Sequence, residues 1–385
     1  MIIPFNKPYI TGKEVHYIYD AVNTGHISGN GKFTKLCQGF FQDKLQLKKA
    51  LLTTSCTDAL EMCALLIDIK PGDEVIVPSY TFVSTALAFV RQGANIIFAD
   101  SREDHPGIDE RSIESLITSK TKAIVPVHYA GVACDMDVIM EVAERHNIYV
   151  IEDAAQAINS FYTSKDGTVK PLGSIGHLSA FSFHETKNLQ CGEGGLLGIN
   201  DEQFIGRAEI IWEKGTNRAE FFRGEINKYG WVDTGSSFLP SEITAAFLWA
   251  QLEQLEDIQS KRKAIWNRYQ KGLKPLEDKG HISLPYIPNN ATNNGHMFYI
   301  TLRNTEQRKA LIKHLKSNSI YAVFHYLALN KSDFYLKDHS EFDLKNADRY
   351  DGTLLRLPLF YDLSLAQVKI VLSQIQKWCN QSTLL

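Results

Sequence analysis

Phe181-Ser182-Phe183-His184-Glu185-Thr186-Lys187-Asn188, followed by Gly192-Glu193-Gly194-Gly195, is the stretch whose reading decides the fold. The apolar run Leu178 to Phe183 leads in, Leu196 to Ile199 leads out, and a glycine-rich reversal lies between. The pattern holds a lysine at a strand-to-strand connection. A lysine so placed is a candidate for covalent chemistry through its amine. The plainer reading is a solvated loop lysine, and Lys187 alone does not decide between the two.

Upstream, short apolar runs alternate with helical stretches. Ala50–Thr53 precedes a helix over 56–67, Glu74–Val77 one over 81–92, and Asn95–Ala99 one over 109–118. Ala123–Val127 precedes a helix over 135–146, and Ile148–Ile151 closes the series. Strands alternating with helices predict an α/β fold, a mostly parallel sheet flanked by helices. Two helices, 11–23 and 33–45, come first, around a glycine-rich loop at 25–31. Downstream the reading gives a helix over 201–213, an irregular segment 214–239 and one long helix over 241–277. Strands at 283–286 and 296–302, a helix over 305–317, a strand at 320–325 and a final helix over 364–379 follow. The expected organisation is a large domain, 1–250, and a small C-terminal α/β domain, 251–385.

The 385-residue chain is 44% hydrophobic and 22% charged with a net charge of −3, so no basic surface points to nucleic acid or an anionic membrane. Cys37, Cys56, Cys63, Cys134, Cys191 and Cys379 are scattered without a C-x-x-C pair, which predicts neither a disulfide framework nor a metal site. No apolar run approaches the ~20 residues of a membrane helix, and the N-terminal residues lack a secretory pattern. The expectation is a cytoplasmic protein.

Parallel sheets bind ligands beyond the carboxyl ends of their strands. After the first strand, Ser55 and Asp58 form a capping-box-like start, leaving the amides of Cys56 and Thr57 free. That is a phosphate cradle or simply a capped helix. After the second strand stands Phe82, a ring-stacking residue or a core aromatic. After the fifth stand Glu152 and Asp153, which are a structural ion pair or a partner for a protonated heterocycle nitrogen. Cradle, stacking ring, carboxylate and lysine together match the needs of pyridoxal 5'-phosphate.

At this point the chain resembles the DegT/DnrJ/EryC1 sugar aminotransferases, which have the fold type I architecture of pyridoxal-phosphate enzymes. The likeness runs from Ile3-Pro4-Phe5 to about Trp378. It rests on Pro78-Ser79-Tyr80-Thr81-Phe82, Glu152-Asp153-Ala154-Ala155-Gln156, the lysine stretch and Gly192-Glu193-Gly194-Gly195. Within the family it is similar to the dTDP-4-amino-4,6-dideoxygalactose transaminases, through 126–134, Glu213-Lys214-Gly215-Thr216-Asn217-Arg218 and Arg356-Leu357-Pro358-Leu359-Phe360-Tyr361.

The resemblance implies Lys187 as the catalytic lysine, Asp153 at the pyridine nitrogen, Phe82 on the ring and Gln156 at the ring hydroxyl. It places the cofactor phosphate on Cys56, Thr57 and Ser182, with Ser237 reaching across a homodimer interface. Lys214, Asn217, Arg218 and Tyr326 are its sugar-nucleotide candidates. It implies L-glutamate as amino donor and a dTDP-4-keto-6-deoxyhexose as acceptor, with the pyridoxamine form in turnover and a galacto product for surface polysaccharide. The gluco epimer, a 3-amino sugar and a non-catalytic cofactor-binding regulator are the alternatives. The chain departs from the family pattern with Ser55-Cys56-Thr57 for Asn-Gly-Thr, with Ser237 and Leu239 for the asparagine and arginine of Gly-x-Asn-x-Arg, and with Ala328 and Asn330 for the proline and second histidine of His-Tyr-x-Pro-Leu-His.

Overall fold

The computed structural model describes residues 2–382. Helices α1 (Glu14–Asn23) and α2 (Lys32–Leu45) come first. An alternating series follows: β1 (Lys49–Thr53), α3 (Cys56–Leu66), β2 (Glu74–Pro78), α4 (Ser84–Val90), β3 (Asn95–Ala99), α5 (Glu110–Leu116), β4 (Thr121–Ile124), α6 (Met136–His146) and β5 (Tyr149–Asp153). A small hairpin, β6 (Phe161–Thr163) and β7 (Val169–Pro171), precedes β8 (Leu178–Ser182) and β9 (Gly195–Ile199). Then come α7 (Ile205–Trp212), α8 (Arg218–Phe222), α9 (Glu242–Leu252) and α10 (Leu255–Asp278). The chain continues through β10 (Phe298–Thr301), α11 (Thr305–Ser317), α12 (Lys345–Thr353), β11 (Leu354–Leu357) and α13 (Leu365–Ser382).

Local sequence explains these elements. Helix α6 starts where Asp135 accepts from the amide of Val138 at 3.3 Å and ends at Asn147, whose φ of 53° is left-handed. Its buried Met136, Ile139, Val142 and Ala143 recur at helical spacing on one face. Strand β9, Gly-Leu-Leu-Gly-Ile, is buried throughout, as a strand covered on both faces must be.

The seven strands of the main sheet run in the order β1-β9-β8-β5-β4-β2-β3. Strands β3, β2, β4, β5 and β8 are parallel neighbours, and β9 runs antiparallel to both β8 and β1. The expected mostly parallel sheet is therefore present. The carboxyl ends of β1, β2, β5 and β8 share one edge. A separate core forms around the antiparallel pair β10–β11, with Ile265, Tyr269 and Leu273 of α10 and Val368 and Val371 of α13.

Several elements differ from the sequence reading. The single helix expected over 241–277 is two, broken at Glu253 and Gln254. The break lets α9 pack on α1 and α2 while α10 runs on to α13. The helix expected over 81–92 starts only at Ser84, because Thr81–Val83 form a turn that leaves Phe82 54% exposed. That expected over 201–213 opens as a 3₁₀ turn before α7. The segment 283–286 makes only the bridge Ser283–Thr301, since Pro285 and nearby Pro288 bring no amide donors. The segment 320–325 divides its pairing between Ile3 and Arg356 and forms no strand. Helix α12 and strand β11 lacked a legible period, as did β6, β7 and the short α8 within 214–239.

Helix α2 has glycine at its N-cap, so a distant carboxylate caps it. Glu242, 1% exposed, accepts from the amides of Gly31 (3.0 Å), Phe33 (2.7 Å) and Thr34 (3.0 Å), and from the Thr34 hydroxyl. A Cβ at Gly31 would lie 2.6 Å from Glu242 Cδ, so glycine is required there. Replacing Glu242 by Ala is expected to cost about 3 kcal/mol by stranding these donors. Calorimetry should show a melting temperature lower by several degrees, with a smaller loss for Glu242→Gln. An unchanged transition in the alanine variant refutes this capping role.

Candidate active site

The register of three strands builds the site. Gly195, the first residue of β9, pairs with Thr53 at the end of β1 and with Ser182 at the end of β8. The start of α3 lies directly over it: a Cβ on Gly195 would come within 2.3 Å of the Ser55 carbonyl carbon and 2.5 Å of Cys56 N. Glycine thus brings the helix N-terminus against the end of β8. Ser55 accepts from the Asp58 amide at 3.1 Å, as an N-cap should, while the Asp58 carboxylate accepts from the Ser55 hydroxyl at 3.0 Å and from the Thr54 hydroxyl. Cys56 is an ordinary first helical residue without a positive φ. Among the described residues nothing accepts from the amides of Cys56 and Thr57. Burial pushes the Cys56 thiol pKa well up, leaving a neutral group whose useful donor is its amide. The Thr57 hydroxyl lies 2.7 Å from that of Ser84.

These groups face a cavity of about 380 Å³ at the shared strand edge, within the usual range for small-ligand sites. Cys56, Thr57, Phe82, Asp153, Gln156, Ser182, Lys187 and Tyr326 all line it. Of the remaining candidates, Lys214, Arg218 and Ser237 are exposed elsewhere on the surface and Asn217 is half-buried with them. Arg218 lies 3.7 Å from Glu213 and over the Phe222 ring, while Asn217 Oδ1 accepts from the Gly230 amide. They do not meet this chain's own cavity.

The acidic pair at the end of β5 divides its work, since successive strand residues point to opposite faces. Glu152 is fully buried, accepting from the amides of Gly173, Ile175 and Gly176 at 2.6–2.7 Å, with His128 Nε2 at 2.9 Å. It is a structural anchor. Asp153 faces the cavity, where its Oδ2 accepts from the Thr85 hydroxyl at 2.7 Å and its Oδ1 from the Ala155 amide at 3.1 Å. Burial raises the Asp153 pKa against these two hydrogen bonds and the pull of Lys187. A cation placed against it would stabilise its carboxylate.

Lys187 sits in the β8–β9 connection, which backbone hydrogen bonds close from Phe183 to Gly194 (2.8 Å) and from Glu185 to Gly192 (2.9 Å). Its neighbour Asn188 donates to Gln259 Oε1 of α10 (2.9 Å) and to the Asn294 carbonyl (3.0 Å), and accepts from His296 Nδ1 (2.9 Å). The lysine loop is thereby clamped to both halves of the molecule. Burial, and secondarily Arg356, lower the Lys187 pKa against the opposing pull of Cys56 and Asp153. Among the described residues its amine makes no hydrogen bond. An uncommitted amine whose charged form burial disfavours is disposed to act as a nucleophile.

Gln156 lines the cavity, but its Oε1 already accepts from the Ala130 amide (2.6 Å) and its Nε2 donates to the Tyr326 hydroxyl (3.2 Å). Phe82 presents its ring at the mouth, 5.8 Å from that of Tyr326. The sequence reading gave no site role to Ser84, Thr85, Asn188, His296, His325 or Arg356; all but Asn188, which adjoins Lys187, reach the site only through the fold.

A sequence profile of the DegT/DnrJ/EryC1/StrS aminotransferase family matches residues 8–376. The chain belongs to that family. It is a pyridoxal-phosphate-dependent sugar aminotransferase, as the motifs implied. It is similar to the spore coat polysaccharide biosynthesis protein SpsC of Bacillus subtilis (strain 168), with 31% identity over 97% of this chain and 96% of that protein. The sugar aminotransferase Spr1654 of Streptococcus pneumoniae, described as putative, superposes with a TM-score of 0.91 at 25% identity, covering 98% of this chain and 99% of that one. DesV of S. venezuelae superposes at 0.87 with 28% identity over 98% of each chain. These likenesses bear out the fold type I architecture. The residues fit the cofactor: free amides for a phosphate, a buried carboxylate for a ring nitrogen, an aromatic face and an unpartnered amine.

Gly195→Ala is expected to push the α3 start off the strand ends. The affinity of the apoenzyme for pyridoxal phosphate should fall by about tenfold or more, read by absorbance titration. Wild-type affinity in a folded variant rules out this role for the close approach.

Proposed function

We propose that the enzyme moves the amino group of L-glutamate to the C4 ketone of a dTDP-4-keto-6-deoxyhexose. The product is a dTDP-4-amino-4,6-dideoxyhexose, in the galacto series, for surface polysaccharide. The reading is carried by Lys187 and Asp153 sharing one cavity with the α3 N-terminus. Support for the sugar comes from the motif likeness at 126–134, 213–218 and 356–361, and from the polysaccharide role in the name of the Bacillus relative.

Pyridoxal phosphate, when bound, supplies an electrophilic carbon for the donor nitrogen and a ring that stores an electron pair. The Cys56 and Thr57 amides, with the Thr57, Ser84 and Ser182 hydroxyls, hold its phosphate at a helix N-terminus. Asp153, fixed by Thr85 and the Ala155 amide, keeps a proton on the ring nitrogen. Phe82 covers the ring and Gln156 orients its hydroxyl. Lys187 Nζ would hold the cofactor through its amine and would move the proton at the reacting carbon.

A second copy completes the site in this proposal. Phe222, Trp231 and Val232 are 68%, 84% and 55% exposed in the segment that carries Lys214, Asn217, Arg218 and Ser237. Such a patch seeks a partner surface. We assign it to the homodimer interface, where those four residues reach the neighbouring cavity and its sugar nucleotide.

Lys187→Ala should abolish turnover together with the yellow absorbance of the lysine-bound cofactor; residual transamination at wild-type rate sinks the assignment. NMR of the product from dTDP-4-keto-6-deoxyglucose and L-glutamate should show an axial C4 amine. An equatorial amine, or one at C3, replaces the galacto reading. Sedimentation velocity should give a dimer that Trp231→Glu dissociates with loss of activity; an active monomer overturns the shared site.

A further inference from the structure

One proton in the cavity has no acceptor. Tyr326 lines the cavity, three residues after Val323, which pairs with Arg356 of β11. Its hydroxyl lies 3.2 Å from Gln156 Nε2. The far end of the same amide fixes the direction of that bond. Gln156 Oε1 accepts from the Ala130 amide at 2.6 Å, so Nε2 faces the phenol and the Tyr326 oxygen accepts. The phenol's own hydrogen must point elsewhere, and among the described residues no acceptor meets it.

The group is held in place. Its ring centre stands 5.8 Å from that of Phe82, 6.2 Å from Tyr80 and 6.3 Å from Tyr129. The hydroxyls of Tyr80 and Tyr129, both 1% exposed, donate to the carbonyl of the preceding residue, His325. Burial raises the Tyr326 pKa, with Arg356 opposing and Asp153 assisting, so the phenol keeps its proton.

The other hydroxyls on the cavity wall are committed. Those of Thr57, Ser84 and Ser182 stand in the phosphate cradle, and Ser55 donates to Asp58. Thr85 gives its hydrogen to Asp153, so the Thr81 hydroxyl, 2.9 Å away, donates to Thr85. His184 Nδ1 accepts from the Thr186 amide at 3.2 Å, which makes that nitrogen the acceptor for the Thr186 hydroxyl at 2.9 Å as well. Outside the cradle, Tyr326 alone among these has a hydrogen to give.

We propose that Tyr326 gives its proton to the carbonyl oxygen on the carbon that gains the nitrogen, so that this oxygen leaves as water. The proposal deepens the aminotransferase reading above and rests on it. Gln156 keeps a second Nε2 hydrogen for the ring hydroxyl of the cofactor, and the carbon that carries the transferred nitrogen is attached to the neighbouring ring atom. A donor one hydrogen bond beyond Gln156 therefore serves the substrate side. As the amine nitrogen bonds to the carbonyl carbon, the π pair moves to oxygen, which takes the phenol proton, and the nitrogen's surplus proton restores Tyr326. The C–O bond then breaks with its pair as the oxygen takes a second proton by the same path. Both hydrogens of the departing water come from the nitrogen, and no external acid is consumed. In the glutamate half these events run backward, with water adding and the 2-oxo acid leaving.

The Tyr326→Phe holoenzyme tests this. Conversion of the pyridoxal form by L-glutamate and amination of dTDP-4-keto-6-deoxyglucose by the pyridoxamine form should both slow by about 100-fold. Exchange of the glutamate α-hydrogen with D2O, followed by NMR, precedes the C–O chemistry and should stay near the wild-type rate, which also shows a folded site. The affinity of the apoenzyme for pyridoxal phosphate and the pH dependence of the yellow absorbance should not change. Exchange that falls together with turnover, or an altered cofactor affinity or titration, gives Tyr326 to the cofactor and overturns the proposal. A loss confined to the sugar half-reaction makes it a sugar contact and overturns it equally. Should wild-type enzyme use another amino acid and ignore glutamate, the donor reading falls alone, and the same comparison on that amino acid decides the role of Tyr326.

Discussion

The active site depends on one missing methyl group. Gly195 pairs with Thr53 on one side and Ser182 on the other, and the backbone of Ser55 and Cys56 occupies the space a side chain would need. Because that approach is possible, free amides, two hydroxyls and the end of β8 converge within one cavity. The lysine then needs only a short connection to reach the same place. Packing and chemistry meet here at a single backbone position.

Much of this was legible in the sequence because it was local. The apolar runs around Lys187, the Ser55–Asp58 start of α3 and the acidic end of β5 are all neighbours along the chain. What stayed hidden was non-local. No period shows that Thr85 will hold Asp153, a separation of 68 residues, or that Asn188 will reach His296, a separation of 108. The break between α9 and α10 was invisible for a related reason: Glu253 and Gln254 are good helix formers, and tertiary packing redirects the chain there. The acidic pair was legible as a pair but not as two jobs. Only the sheet shows that Glu152 turns to the Gly173–Gly176 amides while Asp153 turns to the cavity.

The cavity is polarised between the main-sheet side and the separate β10–β11 core. The first contributes oriented amides and Asp153, and the second contributes a guanidinium. Burial lowers the pKa of Lys187, which stands among them, and so favours the uncharged form that covalent chemistry requires. Low dielectric surroundings make each of these charges matter more than it would at a surface.

Helix α10 ties the cores together. Leu255 and Ile258 at its start belong to the first, and Ile265, Tyr269 and Leu273 further along to the second. Gln259 lies between those groups and holds Asn188, the residue beside the lysine. The helix is therefore a strut packed into both cores that also holds the residue beside the nucleophile. A cavity opened around Tyr269, remote in sequence from every reacting atom, would loosen the helix that also carries Gln259.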